Sequence, residues 1–336
     1  MTSQRKAARV CGALTAIVST SIVLCLAQDN VPASGATAPR RLTKIVNSYP
    51  APSPDGSTVV FQSNRTGVFQ IYSIKADGSD VRQLTNLQDA SYGPSYSPDG
   101  KLVAFAHGSG GKSDIYLMAN DGSGVHPLTT DGLDNSHPHW SADGRRIVFN
   151  SSRTTPPGDR ADPTKEQDDI FSIALDGSDL RQHTHCKTVC TYSFLSPDMK
   201  KIVYRKVTNT SGLNWDLGEA ARNSEIAVAN ADGSDERILT NHSAFDGWPT
   251  WSPDGRQIAF ASNRLGPANH GQIFLMHPDG SGLRQVSNLP GSYVQPFWSA
   301  DGQKIYAYEA TEIGDDEWGD VVVFQVDSGE NSSSGV

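Results

Sequence analysis

Six short segments of this chain spell the same turn. They are Ser53-Pro54-Asp55-Gly56, Ser97-Pro98-Asp99-Gly100, Ser141-Ala142-Asp143-Gly144, Ser196-Pro197-Asp198-Met199, Ser252-Pro253-Asp254-Gly255 and Ser299-Ala300-Asp301-Gly302. Their aspartates are separated by 44, 44, 55, 56 and 47 residues. A period of this length implies one supersecondary unit built repeatedly, each copy burying its apolar face against the next. Proline presets φ at the first turn position, aspartate suits the second, and glycine closes the turn. An apolar run follows each turn, such as Val59-Val60-Phe61 or Ile147-Val148-Phe149, and then a third strand such as Gln70-Ile71-Tyr72. Asp-Gly-Ser at 77–79, 121–123, 176–178, 232–234 and 279–281 marks a second hairpin, and a fourth strand ends in Leu84-Thr85, Leu128-Thr129 or Leu239-Thr240. Four short antiparallel strands in six copies predict an all-β, six-bladed β-propeller. The last unit stops after Val321-Val322-Val323-Phe324, and its missing strand is expected at the other end, in Arg40-Arg41-Leu42-Thr43. Closure of this kind leaves no open sheet edge. The propeller should span 40–329, between a flexible segment at 28–39 and a C-terminal tail at 330–336.

Residues 1–27 read as a signal peptide. Arg5, Lys6 and Arg9 form a basic start, Ala13 to Leu26 an apolar stretch, and Cys25-Leu26-Ala27 a small-x-small cleavage site. Its removal leaves 25 basic against 37 acidic residues, a net charge of −12. Such a surface repels phosphate backbones and anionic lipid, which argues against nucleic-acid partners. With no second long apolar segment, the expected product is periplasmic or secreted, without a membrane span after cleavage, and monomeric. Cys186 and Cys190 are the cysteines that remain. In an oxidising compartment they most simply form a disulfide pinching one loop, a metal pair or reactive thiol being the alternative.

The recurring Trp-Ser-Pro-Asp-Gly, Ile-Ala-Phe-x-Ser-Asn-Arg, Asp-Gly-Ser and Leu-Thr elements resemble the propeller repeat of TolB and its relatives over about residues 40–329. The resemblance implies the six-bladed fold and leaves the role open, since one fold hosts many functions. TolB itself carries an α/β domain ahead of its propeller, whereas residues 28–39 are all that separate signal from first strand here.

In a propeller, the loops between blades and those between strands two and three surround the central channel on one face, where ligands are expected. Departures from the repeat therefore mark candidate function. Residues 153–168 and 206–223 form long loops, the second carrying Trp215. The residues just before the consensus proline of the innermost strands, Tyr49, Gly93, His137, Tyr192, Trp248 and Gln295, should ring the channel mouth. Tyr49, His137, Tyr192, Trp215, Trp248 and Gln295 are thus the candidate ligand-binding residues. Eight residues after each turn aspartate stand Ser63, Ser151 and Ser262 in blades one, three and five, but His107, Lys206 and Glu309 in the others. These three, with Arg205, are catalytic candidates if they face the channel and ordinary solvated charges if they do not. His137 and His139, at i and i+2, lie on one face of a strand, as metal ligation requires. The pair is similar to the metal-binding His-x-His of oligogalacturonate lyases, with Asp134 at the place of that family's glutamine ligand.

Two further readings follow from these resemblances. One is an enzyme, a metal-assisted polysaccharide or oligouronide lyase with manganese, calcium or zinc at His137, His139 and Asp134. The other is a Tol-type envelope translocation component. No Gly-x-Ser-x-Gly elbow, His-Glu-x-x-His or phosphate loop is present. The leading expectation is therefore a non-catalytic, cofactor-free propeller holding a protein, peptide or glycan ligand.

Overall fold

The computed structural model describes residues 40–41, 47–160, 162, 165–208, 224–266, 270–313 and 316–326. The expected signal peptide, the segment at 28–39 and the tail at 330–336 lie outside the described residues, as does most of the loop carrying Trp215. Among the described residues, no helix is long and apolar enough to cross a membrane.

Six four-stranded antiparallel sheets follow one another along the chain. They begin with the strands Asn47–Pro52, Ala90–Tyr96, Asn135–Trp140, Cys190–Leu195, Asp246–Trp251 and Ser292–Trp298, which open blades one to six. The sixth sheet takes its outer strand from the start of the chain, with Arg40 opposite Val323 and Arg41 opposite Val322. The six-bladed, closed propeller expected from the repeat is the fold observed.

The repeated turn shows why its residues recur. Ser53 Oγ donates to Asp55 Oδ1 at 2.5 Å, the Ser57 amide donates to the same oxygen at 3.0 Å, and the Thr58 amide donates back to Ser53 Oγ at 3.0 Å. The hydrogen bond from Ser53, then those from Ser57, hold the Asp55 carboxyl below its ordinary range. Gly56 takes φ 70°, a conformation that costs glycine little.

Both faces of each sheet are buried because the blades pack on one another. Ala104, Ala106, Ile115 and Leu117 of blade two meet Ile147, Phe149, Phe171 and Ile173 of blade three. At the closure, Val59, Phe61, Tyr72 and Ile74 of blade one meet Tyr306, Val321 and Val323 of blade six. The core is thus a set of wedges between neighbouring blades. It is rigid enough to hold the innermost strands around a channel.

Candidate functional site

Each innermost strand breaks register once. Ser48 lies opposite Gln62 but Ala51 lies opposite Val60, so Tyr49 and Pro50 share one partner residue, and the other five blades shift at the same place. This is a β-bulge, which turns a side chain out of the ladder. The first bulge residue takes positive φ in every blade: Tyr49 53°, Gly93 59°, His137 54°, Tyr192 54°, Trp248 51° and Gln295 57°. Five of the six are not glycine, and such backbone strain concentrates where a fold must aim a group.

The strain aims them inward. Tyr49, His137, Tyr192, Trp248 and Gln295 line one central cavity, together with His139. Tyr49 Oη lies 3.3 Å from His137 Nε2 and 3.4 Å from Tyr192 Oη, and the Tyr49 amide donates to Gln295 Oε1 at 2.8 Å. The His137 and Tyr192 rings meet at 4.2 Å, and Tyr192 meets Trp248 at 5.5 Å. Below this tier, His139 stacks on Phe194 at 3.6 Å, and Phe194 meets Phe297 at 5.7 Å. These residues stand two places after the ring residues of blades three, four and six. That spacing was visible in the repeat, but the sequence reading gave Phe194 and Phe297 no role.

The two tiers plug the channel. The cavity that remains measures about 40 Å³, room for roughly three water molecules. It suits one small inserted group rather than a sugar ring. His139 Nδ1 is buried with no hydrogen-bond partner among the described residues, while the Trp248 indole acts on the Tyr49 hydroxyl as a hydrogen-bonding neighbour. Burial moves the histidines strongly. His137 falls to about 4, against a raising bond with Asn150 Oδ1 at 3.0 Å and with help from the Arg205 charge. His139 falls to about 3, through burial and then the neighbouring His137. Both rings are neutral at pH 7. Arg205, 4% exposed, packs over Phe245 at 4.8 Å and Tyr192 at 6.0 Å, so one cation stands beside the aromatic wall.

The other candidates disperse. Lys206 pairs with Glu236, which also accepts from Tyr204 Oη. His107 Nδ1 lies 3.2 Å from Ser91 Oγ, and its ring meets Tyr116 edge-on at 5.1 Å. Glu309 is 5% exposed and accepts from Tyr293 Oη at 3.0 Å. None of the three lines the central cavity. Asp134 accepts from Ser113 Oγ and lines a different cavity from His137 and His139. Among the described residues, no three His, Cys, Asp or Glu side chains are arranged to hold a metal ion. Cys186 and Cys190 are joined in a disulfide, with Cα atoms 6.3 Å apart.

The serines at the alternating position proved to be clamps. Arg65, Arg153 and Arg264 each donate from Nε to the serine two residues before, at 3.1, 3.0 and 2.9 Å. Each also reaches the innermost strand of its own blade, at Asn47, Asn135 or Asp246. The signal was the Ser-x-Arg spacing itself.

Comparison with known proteins gives the same architecture. The family model for the TolB beta propeller domain matches residues 33–158 and 209–332. A protein TolB homolog of Chlorobium luteolum is 27% identical over 139 residues, 32% of this chain and 31% of the relative, so the match spans about a third of that protein's length. Among solved structures, a TolB from Agrobacterium tumefaciens superposes with a TM-score of 0.60 at 23% identity, covering 84% of this chain and 92% of the other. An oligogalacturonate lyase in complex with manganese gives 0.56 at 14% identity, over 86% and 93% of the two chains. At these identities, the structural likenesses speak to the fold alone. With the family model matching most of its length, the chain belongs to the TolB β-propeller domain family.

Proposed function

We propose that this chain is an exported, monomeric binding protein that holds a protein or peptide ligand on its loop face, over the plugged central channel. The observation that carries the reading is the ring. Five strained, non-glycine residues converge on an aromatic wall around one small central cavity. Aromatic anchors of low conformational freedom are what binding hot spots use. The small cavity favours a ligand that lies across the mouth and inserts one group. A glycan docked on the aromatic rim is the variant of this reading to separate by experiment.

The lyase reading needs His137, His139, Asp134 and a basic group in one place. Asp134 and Lys206 lie elsewhere, which leaves the Arg205 cation beside His137 as the basic group near the histidines. The Tol-type role draws its support from the family and is tested by the same screen.

Purified chain should be screened on peptide and glycan arrays and the hits measured by calorimetry. Trp248→Ala and Tyr192→Ala should each weaken the principal hit by about tenfold or more, with the far-ultraviolet circular dichroism unchanged. Hits indifferent to both variants would remove the channel mouth from the account. Turnover of a polysaccharide, abolished by His137→Ala, would replace binding with catalysis.

A further inference from the structure

A second cavity, between blades two and three, departs from the repeat in charge. Ser113, Asp168 and Ser224 occupy equivalent places. Each forms an isolated parallel bridge to the linker that follows its blade, at Asp134, Val189 and Phe245 respectively. Ser113 Oγ donates to the Asn135 carbonyl at 2.9 Å, and Ser224 Oγ to the Asp246 carbonyl at 3.0 Å. Blade three puts a carboxyl where these hydroxyls stand. Asp168 is 4% exposed, and its Oδ1 has no hydrogen-bond partner among the described residues. A buried acceptor left unmade is costly, and folds retain such groups chiefly where they do something.

Two more carboxyls join it. Glu166 makes no hydrogen bond or ion pair among the described residues. Among the described residues, the Asp134 carboxyl accepts only from Ser113 Oγ. Burial raises all three carboxyls above their ordinary range. The next cause at Glu166 is Asp134, and the next at Asp168 are Glu166 and then Asp134. The three therefore act on one another. Asp134 and Glu166 line a cavity of about 540 Å³, with Asp159, Asp162, Lys112 and Arg160 around it. Lys165 serves Asp159 at 3.0 Å and Asp162 at 3.9 Å, and Arg160 Nε donates to the Thr155 carbonyl at 3.2 Å. No cation comes within 4 Å of Asp134, Glu166 or Asp168 among the described residues, so these carboxyls lack a direct ion pair although Lys112 and Arg160 share the cavity wall.

We infer that this cavity receives a cationic side chain, a lysine ammonium or arginine guanidinium, carried by a polypeptide bound on the loop face. The cavity has the volume for such a side chain, and the carboxyls on its wall supply what a desolvated cation needs. The acidic excess of the chain, 37 Asp+Glu against 28 Lys+Arg, draws a basic partner toward it. The inference rests on the ligand-holding reading only for the partner being a polypeptide, and it uses a different cavity.

A fluorescent tetralysine peptide is the probe, with tetraglutamate as its control, read by anisotropy at low and physiological salt. Asp168→Ser copies blades two and four and should fold. Glu166→Gln removes a carboxylate from the cavity wall and should weaken tetralysine about tenfold, and Asp168→Ser, which removes the buried carboxyl that acts on Glu166, should weaken it by a smaller factor. Asp235→Asn, an exposed acid at φ 54° that asparagine tolerates, removes one charge far along the chain and should leave the affinity unchanged. Trp248→Ala should also leave it unchanged, so failure of the central site and failure of this one read separately. Equal losses in Asp235→Asn, no loss in Asp168→Ser and Glu166→Gln, or no tetralysine binding would each overturn the inference. So would calcium that binds here tightly and is lost with Asp168→Ser, because the cavity would then be an ion site.

Discussion

Blades four and five are neighbours built to one plan, and they differ at almost every position where the plan is not structural. Blade five keeps the repeat: Pro249 after the ring residue, Gly255 in the turn, Gln272 at the head of the third strand and Arg264 as the clamp. Blade four has Ser193, Met199, Glu225 and Lys206 near those places, and it adds the Cys186–Cys190 disulfide. Ser193 Oγ is buried without a hydrogen-bond partner among the described residues, and Met199 takes φ 57°. Blade four thus carries costs that its neighbour avoids, and it contributes Tyr192, Phe194 and Arg205 to the central site. Consensus positions hold the ring together. The departures tell where selection acted on something other than stability.

Breaking the consensus in blade five should have the largest effect. Arg264 Nη2 lies 2.8 Å from Asp246 Oδ2, with side-chain exposures of 11% and 0%. Removing one partner of a buried pair leaves an uncompensated charge, so Arg264→Ala should cost about 3–5 kcal/mol in denaturant unfolding. Adding Asp246→Asn should recover part of that loss, because blades one and three already use Asn47 and Asn135 at this place. Arg65→Ala in blade one faces neutral Asn47 and should cost much less. Equal costs for Arg65→Ala and Arg264→Ala would mean that the charge pair is not what distinguishes blade five.

The next effect belongs to blade four and depends on pH. Glu225 accepts from Thr240 Oγ1 at 2.6 Å and from the His242 amide at 3.3 Å. Burial first, then the nearby Asp246 charge, raises it from 4.5 to about 7, against Arg264 and the two hydrogen bonds. The folded chain therefore keeps a proton that the unfolded chain has lost between pH 4.5 and about 7. Its stabilising contribution is complete below that window and is lost as pH rises through it. Glu225→Gln installs the residue that blades one and five use at Gln70 and Gln272. It should raise the melting temperature at pH 8, by the equivalent of about 1 kcal/mol after allowing for partial solvent screening, and change little at pH 4. A gain of the same size at both pH values would show that Glu225 does not titrate in this window.

The fold was legible because its turn is chemically demanding. Serine, aspartate and glycine bond to one another within the turn, so their spacing survives divergence of everything between them. The ring was legible for a related reason, since proline follows it in five blades. What the ring encloses was not. Whether a channel is open depends on side chains two residues further on, His139, Phe194 and Phe297, and on how three strands converge. No one-dimensional period encodes that convergence. Lys206 and Glu309 were read as possible channel groups because the repeat gives a position on a strand without giving its face. Asp168 escaped notice altogether. The insertion at 153–168 moves it out of line with Ser113 and Ser224, and only the parallel bridges restore the correspondence.

The smallest effect tests whether blade four departs from the plan by need or by tolerance. Met199 stands where the other five turns have glycine, at φ 57° and 39% exposed. A side chain in the left-handed region costs about 1 kcal/mol, less what glycine loses in unfolded-state entropy. Met199→Gly should therefore stabilise the chain by about 0.5 kcal/mol, seen as a small rise in the urea midpoint at unchanged slope. The turn lies at the end of the blade away from the ring bulge, so ligand binding at the central site should not move. If stability rises and binding holds, Met199 is a tolerated flaw, and the functional departures of blade four narrow to its inner strand and loops. If binding falls, the turn reaches the ring through Leu195 and Phe194, and the division between a structural face and a functional one fails in this blade.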